Sequence, residues 1–371
     1  MADRSGLGEL ARLFLRLGAT SFGGPAAHIA MMHDEVVRRR GWLTDERFVD
    51  LVGATNLIPG PNSTELAIYL GWDRARGKGM VVAGACFIAP AVVIVGALAW
   101  SYVTYGDTPA FEGLLYGIKP VVIAIVGQAL ATLLPTAART RPLAVLAATA
   151  AAAFLLGANE LLVLVAGAAV AAGLHAARQG RAERLAAWLP LTAVTTDVEL
   201  GRLFLAFLRI GAVLYGSGYV LLAFLDGELV ERHGWITSQQ LLDAVSIGQV
   251  TPGPVFSTAT FVGYLTGGFW GAVVATIGIF LPSFLFVALL THLVERMRAS
   301  PLLGAALDGV NAAAIGLMAA VGARLAGDAL VDPFTVGILA VAGVALWRTG
   351  LNSTWLIAGG AAAGTIHTLT T

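Results

Sequence analysis

Two phrases in this chain carry residues that could do chemistry: Ile58-Pro59-Gly60-Pro61-Asn62-Ser63-Thr64-Glu65 and Thr251-Pro252-Gly253-Pro254-Val255-Phe256-Ser257-Thr258, each inside long apolar sequence. Proline lacks a backbone N–H and clashes with the preceding turn, so each phrase breaks the helix that the surroundings favour. In lipid, unwound backbone survives only where protein buries it or where it lines a wet cavity. A proline followed by small polar residues opens a helix, whose free N–H groups and positive dipole end attract an anion. The dipole supplies only ~0.3–1 kcal/mol, so hydroxyls and amides must contribute. The candidate ligands are Gly60, Pro61, Asn62, Ser63 and Thr64 in the first phrase, Gly253, Pro254 and Ser257 in the second, and the amides Asn56 and Gln249 just ahead of each.

Other residues suit the same ligand. Ser21-Phe22-Gly23-Gly24 and its counterpart around Gly216-Ser217 interrupt an earlier helix with small residues that let backbone approach a ligand or a neighbouring helix. Arg16 and Arg209 lie inside apolar helices, where a guanidinium faces a cavity or partner, or snorkels to the interface. A planar guanidinium also matches a doubly charged oxyanion. Lys119, beside Pro120, gets the same reading, and Glu35, Glu65 and Lys119 are the coupling candidates. Asp34, Glu35 and Glu228 stand where the first helix of each half ends, which also suits solvated or salt-bridged carboxylates. The six histidines, His28 among them, are scattered without metal-ligand spacing, and neither a metal nor another cofactor is expected.

These residues recur because the chain repeats itself. Phe14-Leu15-Arg16-Leu17-Gly18 returns as Phe207-Leu208-Arg209-Ile210-Gly211, and Pro59-Gly60-Pro61 as Pro252-Gly253-Pro254, at a constant offset of 193 positions. After a one-residue slip Pro90 meets Pro282, Gly117 meets Gly309 and Lys119 meets Asn311. Two homologous halves follow, 1–185 and 186–371. Of the 371 residues, 57% are hydrophobic and 12% charged, with no formal net charge, which indicates an all-α polytopic membrane protein in a lipid bilayer and argues against nucleic acid as a partner. The single cysteine, Cys86, excludes a disulfide framework. No removable signal peptide is recognisable, so the first apolar segment is expected to stay as a helix.

The first half parses into an interrupted helix over Leu10–Met32, short arms Phe48–Leu57 and Ser63–Leu70 around the proline break, and apolar stretches Met80–Val103, Phe111–Leu134, Leu143–Leu156 and Leu161–Ala177. The arms are each about half of the ~20 residues a crossing needs, so they form a re-entrant hairpin. Arg38 to Arg40 before it and Arg74, Arg76 and Lys78 after it then share the cytoplasmic side. The expected fold is two inverted-topology repeats, each of about five transmembrane helices plus one re-entrant hairpin, with both termini outside. Inverted repeats with broken helices are the architecture of many secondary transporters. Gly360 and Gly364 make a small-xxx-small pair compatible with a homodimer or with ordinary packing.

Phe14-Leu15-Arg16-Leu17-Gly18 leading into Thr20-Ser21-Phe22-Gly23-Gly24-Pro25-Ala26-Ala27-His28, the stretch from Glu35 to Arg39-Arg40-Gly41-Trp42-Leu43, Pro59-Gly60-Pro61-Asn62-Ser63, Gly234-Trp235, Gln249 and Thr251-Pro252-Gly253-Pro254 together resemble the chromate ion transporter family in its long, two-domain form. The resemblance implies secondary active export of chromate from the bacterial or archaeal cytoplasm across the inner membrane, conferring chromate resistance, with sulfate as the look-alike tetrahedral dianion. Alternatives are a carrier for sulfate or another small oxyanion and, from a different class, a membrane enzyme or scaffold. Asn56 stands opposite Gln249, and Ser21-Phe22-Gly23-Gly24-Pro25 opposite Leu214-Tyr215-Gly216-Ser217-Gly218, so the half-sites differ. The expectation is that the first tip grips the anion and the second closes over it.

Overall fold

A computed structural model describes residues 6–22, 24–106, 108–178, 200–214, 220–298, 301–349, 351 and 353–370. Every regular element among them is helical. The first half contains α1 (Gly6–Thr20), α2 (Gly24–His33) running into a π-helical turn (Asp34–Arg39), α3 (Asp45–Thr55), α4 (Ser63–Tyr105), α5 (Pro109–Ala137), α6 (Arg141–Leu155) and α7 (Glu160–Arg178). The second half repeats the order with α8 (Leu200–Val213), α9 (Leu221–Leu225) and its π-helical turn (Asp226–Arg232), α10 (Ser238–Val250), α11 (Thr258–Arg298), α12 (Pro301–Ala329), α13 (Pro333–Arg348) and α14 (Ser353–Thr370). Five helical stretches, Ser63–Tyr105, Phe111–Ala137, Glu160–Ala177, Val255–Leu290 and Gly304–Ala329, are long and apolar enough to cross a bilayer, and Arg141–Leu155 and Pro333–Arg348 are shorter apolar helices. The chain is a multi-pass, all-α membrane protein.

The 43 residues of α4 would extend about 65 Å if straight, twice the hydrocarbon thickness of a bilayer. Instead the chain reverses at Ala75 (φ −144°, ψ 27°) and Arg76 (φ 53°, ψ −143°). The arms on either side pack so tightly that a Cβ added to Gly71 would lie 2.6 Å from that of Ala83. α11 folds back in the same way at Gly267 (φ −142°, ψ 21°) and Gly268 (φ 60°, ψ −150°), with Gly263 against Ala275. Gly268 takes its positive φ freely, whereas Arg76 holds a conformation that L-residues disfavour. Residues 63–74 are thus the short second arm of a hairpin whose first arm is α3, as the arm lengths and charges require. Thr44 caps α3 by accepting from the Arg47 N–H (3.3 Å), and Thr237 and Gln240 form a reciprocal capping box at the start of α10.

The first helix of each half departs from the expected crossing. Arg16 is ion-paired with Glu35, and Arg40 lies 3.4 Å from Glu9. In one continuous helix residues 9 and 40 would stand about 45 Å apart. The chain therefore turns back at Ser21–Gly24, and α1 and α2 form a second hairpin. Its mouth lies beside the α4 reversal, where Arg74 sits over the Trp42 ring at 4.9 Å and 3.9 Å from a Cβ built on Gly6. The beginning of the described chain thus lies at the basic end, not at the outer end as expected. α8 and α9 repeat the arrangement, with Arg209 3.9 Å from Glu228. The cause is electrostatic: Glu35 accepts from Arg16, Arg39 and Arg40, and Glu228 faces Arg209, Arg232 and His233.

Long helices from the two halves interleave. Gly117 of α5 faces Gly360 and Gly364 of α14, where an added Cβ would meet the Gly364 nitrogen at 2.8 Å. The matching Gly309 of α12 faces Gly167 and Ala171 of α7. The Gly360/Gly364 pair thus packs within the chain. Gly117→Val should cost about 1–3 kcal/mol by overpacking and should lower the thermal midpoint of the purified protein in detergent. A glycine with nothing near its built Cβ, Gly127, should tolerate the same change.

Candidate functional site

The breaks of the two halves meet. The Gly60 N–H donates to the Leu214 carbonyl (2.8 Å), and the Gly253 N–H donates to the Ser21 carbonyl (2.9 Å). These four residues are two equivalent pairs at the 193-residue offset, so each tip caps the broken first hairpin of the other half. Both glycines adopt positive φ, 134° at Gly60 and 92° at Gly253, which β-carbon-bearing residues avoid. Pro61 and Pro254 are buried, and Asn62 turns the chain into α4 at φ 39°.

A second strand of the network runs through His28, which is 1% exposed. Its Nε2 lies 3.2 Å from the Ser21 carbonyl and its Nδ1 3.1 Å from Ser63 Oγ. A carbonyl only accepts, so Nε2 carries the proton of a neutral ring and Nδ1 accepts from the Ser63 hydroxyl. The Ser21 carbonyl thereby takes two donors, one from each half. Glu65 is fully buried, accepts from Ser283 of the other half, and lies where a Cβ on Gly60 would stand. Glycine at position 60 is thus required both by φ and by the carboxyl beside it.

Several buried polar atoms at the tips have no protein partner: Ser21 Oγ, Thr64 Oγ1, Glu65 Oε2, Gln249 Nε2 and Ser257 Oγ. Thr64 and Ser257 are equivalent positions, each at the opening of the helix that follows its break. An unmet buried hydroxyl or amide costs about 1–3 kcal/mol, so these five groups are polar atoms that the fold buries without a protein partner.

The other expected residues fall around this centre. Phe22 and Gly24 (φ 79°) flank the first hairpin tip, while Gly23, Gly216 and Ser217 lie outside the described residues. Asn56 is exposed at the C-terminal end of α3, unlike Gln249. Arg16 and Arg209 are held by Glu35 and Glu228 along the hairpins rather than aimed at the tips. Burial pushes the Glu35 carboxyl up, but the guanidinium groups of Arg40 and Arg16 outweigh it and hold the pKa below its usual 4.5. Lys119 is 2.8 Å from Asp243 of α10, away from the breaks. His28, Ser283 and Asp243 were not singled out by sequence; for His28 the signal was its place in the stretch that follows the first glycine break.

Broken hairpins from two repeats, meeting tip to tip within a multi-pass bundle, define a membrane protein of the transporter class. The chain belongs to the chromate transporter family, whose model matches residues 8–174 and again 201–365. It is 33% identical over 374 residues to a chromate transport protein of Cupriavidus metallidurans, covering 97% of this chain and 93% of that one. It is 32% identical over 358 residues to a probable chromate transport protein of Synechococcus elongatus (93% and 91%), and 32% over 382 residues to a chromate transport protein of Pseudomonas aeruginosa (96% and 91%). No solved structure matches the chain.

Two outcomes follow from this geometry. His28→Leu should strand the Ser63 hydroxyl and one acceptor site of the Ser21 carbonyl, costing about 1–3 kcal/mol and lowering the detergent melting midpoint, whereas the same change at half-exposed His33, whose partner Asp45 stays solvated, should lower it less. Glu35 contributes stability above pH 4.5, and that contribution is lost as pH falls through its depressed folded pKa. The acid limb of a melting-temperature profile should therefore soften in Glu35→Gln, which has no such proton to gain; an unchanged acid limb would remove the charge network as its cause.

Proposed function

We propose that this protein is a secondary active transporter that exports chromate, a tetrahedral oxyanion, from the cytoplasm and so confers chromate resistance. The observation that carries the reading is the set of unpartnered buried polar atoms at the meeting of the two tips, in a chain that belongs to the chromate transporter family. The ligand sits between the helix openings at Thr64 and Ser257, where N–H dipoles and hydroxyls favour negative charge. Glu65 brings a carboxyl to the first tip, and the second offers Ser257 Oγ and Gln249 Nε2 in a neutral setting. The second tip therefore contributes more of the grip than the first, the reverse of the sequence expectation.

The repeats, 1–185 and 186–371, are inserted with inverted topology. Support comes from the long helix α4: Arg47 of α3 pairs with Asp73 beside its reversal (3.2 Å), while α10, the counterpart of α3, meets Tyr102 toward its other end (2.9 Å). The basic residues Arg38–Arg40, Arg74, Arg76, Lys78, Arg139 and Arg141 mark the cytoplasmic side. Rocking of one half against the other, with the four tip residues re-pairing, alternates access.

The test is chromate efflux from loaded vesicles. Ser257→Ala and Gln249→Leu should each lower apparent affinity roughly tenfold or more, as expected for a hydrogen bond to a charged ligand, and Gly60→Ala should abolish transport. Wild-type efflux in all three, with normal membrane insertion, would refute the site.

A further inference from the structure

A second polar centre lies apart from the tips. A cavity of about 670 Å³ is lined by Glu112, Gln239 and Asp328 near its mouth and by Lys119 and Asp243 deeper in. The first three are exposed or half-exposed, whereas Lys119 is 7% and Asp243 2% exposed. Lys119 Nζ is 2.8 Å from Asp243 Oδ1, and the Tyr102 hydroxyl donates to Asp243 Oδ2 at 2.9 Å. Lys119 and Tyr102 stand on α5 and α4 of the first half. Asp243 stands on α10, the arm that carries the second tip, two turns before Thr251. One buried ion pair thus pins the α10 arm of one half to the long helices of the other.

We propose that Asp243 is the proton-binding site that couples transport, reached through this cavity, and that its protonation releases the α10 arm. This rests on the transport reading above. Three carboxyls against one ammonium make the cavity attractive to cations and repellent to an oxyanion, which excludes it as a second anion seat. A metal cation would need several oxygen ligands, but the place beside the carboxylate is filled by the Lys119 ammonium, and no cluster of three potential ligands exists among the described residues. A proton needs no such cage. Taking one, Asp243 becomes neutral, and its Coulombic hold on Lys119 is lost in a setting where burial makes that hold strong. The proton ends on the carboxyl, Lys119 stays charged, and the arm is free to carry Thr251–Pro254 away from Ser21.

The other charged and titratable groups around Asp243 are accounted for. Glu112 and Tyr116 of α5 and Asp328 of α12 line the same cavity. Tyr116 is hydrogen-bonded to Asp332 and stacked with His367 of α14. Asp226 and Glu228 of the neighbouring π-helical turn are engaged by Arg324 and by Arg232. Asp243 has Asp50 as its counterpart and Lys119 has Asn311, so at the equivalent Asp50–Asn311 position an amide stands in place of the ammonium and the latch is not repeated there.

The experiment uses the full chain in proteoliposomes holding a trapped pH-sensitive dye, with chromate counterflow measured alongside. Wild type should exchange chromate, accumulate it against its gradient when a pH gradient is imposed, and move protons as it does so. Asp243→Asn should still exchange chromate, at a reduced rate, while proton movement and gradient-driven accumulation fall to the level of empty vesicles. Tyr102→Phe, which removes one hydrogen bond and no charge, should displace the pH profile of accumulation; a profile identical to wild type overturns the proposal. Proton movement in Asp243→Asn equal to wild type, or wild-type exchange with no proton movement, also overturns it while leaving chromate transport intact. Absence of wild-type chromate counterflow would instead bring down the transport reading, and the coupling with it.

Discussion

Unwound backbone inside an apolar protein has to be satisfied by something other than water, and here each half satisfies the other. The Gly60 N–H closes on the Leu214 carbonyl and the Gly253 N–H on the Ser21 carbonyl. Leaving either unmade would cost about 1–3 kcal/mol per stranded group, so parting the two halves at the centre is unfavourable until each group finds a replacement partner. A tetrahedral oxyanion is an acceptor for the same N–H groups, so on the proposed reading the bonds between the halves are the ones a ligand exchanges.

The hairpins around that contact are built from close approach and charge. Small residues let α4 and α11 double back, and the carboxylates Glu35 and Glu228 gather basic residues from α1 and α8 and from the ends of the two π-helical turns. The ion pairs are partly solvated, since Arg16 and Arg209 keep about half their side-chain surface exposed (52% and 46%). Each such pair contributes little alone; their effect is to fix the direction in which the chain leaves the break.

That distinction explains what was legible in the sequence. The repeat, the two proline breaks and the hairpin with arms Phe48–Leu57 and Ser63–Leu70 could be read because proline chemistry, arm length and the placement of Arg38–Arg40 and Arg74 are local signals. The return of α2 alongside α1 could not. Leu10–Met32 has the length and apolarity of a crossing, and a break at Ser21–Pro25 says that the helix stops, not which way it goes on. The decision rests on Arg16 meeting Glu35 and Arg40 meeting Glu9, pairings across the tip that no periodicity reveals. Arg16 looked like an anion ligand for the same reason: its partner lies across the turn. His28 was lost among scattered histidines because its role depends on Ser63, brought to it by a different hairpin.

The repeat predicts symmetry, and the tips break it where charge matters most. Thr64 and Ser257 are alike, but the following position is Glu65 in one half and Thr258 in the other, and Thr258 spends its hydroxyl on the Val255 carbonyl (2.8 Å). On the proposed reading a dianion between the tips meets a carboxyl on one side only, and that carboxyl is tied through Ser283 to the opposite half. A symmetric pair of tips would bind and release equally in either direction. On the proposed reading, a single carboxyl at the first tip and a single ion pair on the arm of the second would give the two states different charge, which is what an imposed gradient needs in order to drive one of them.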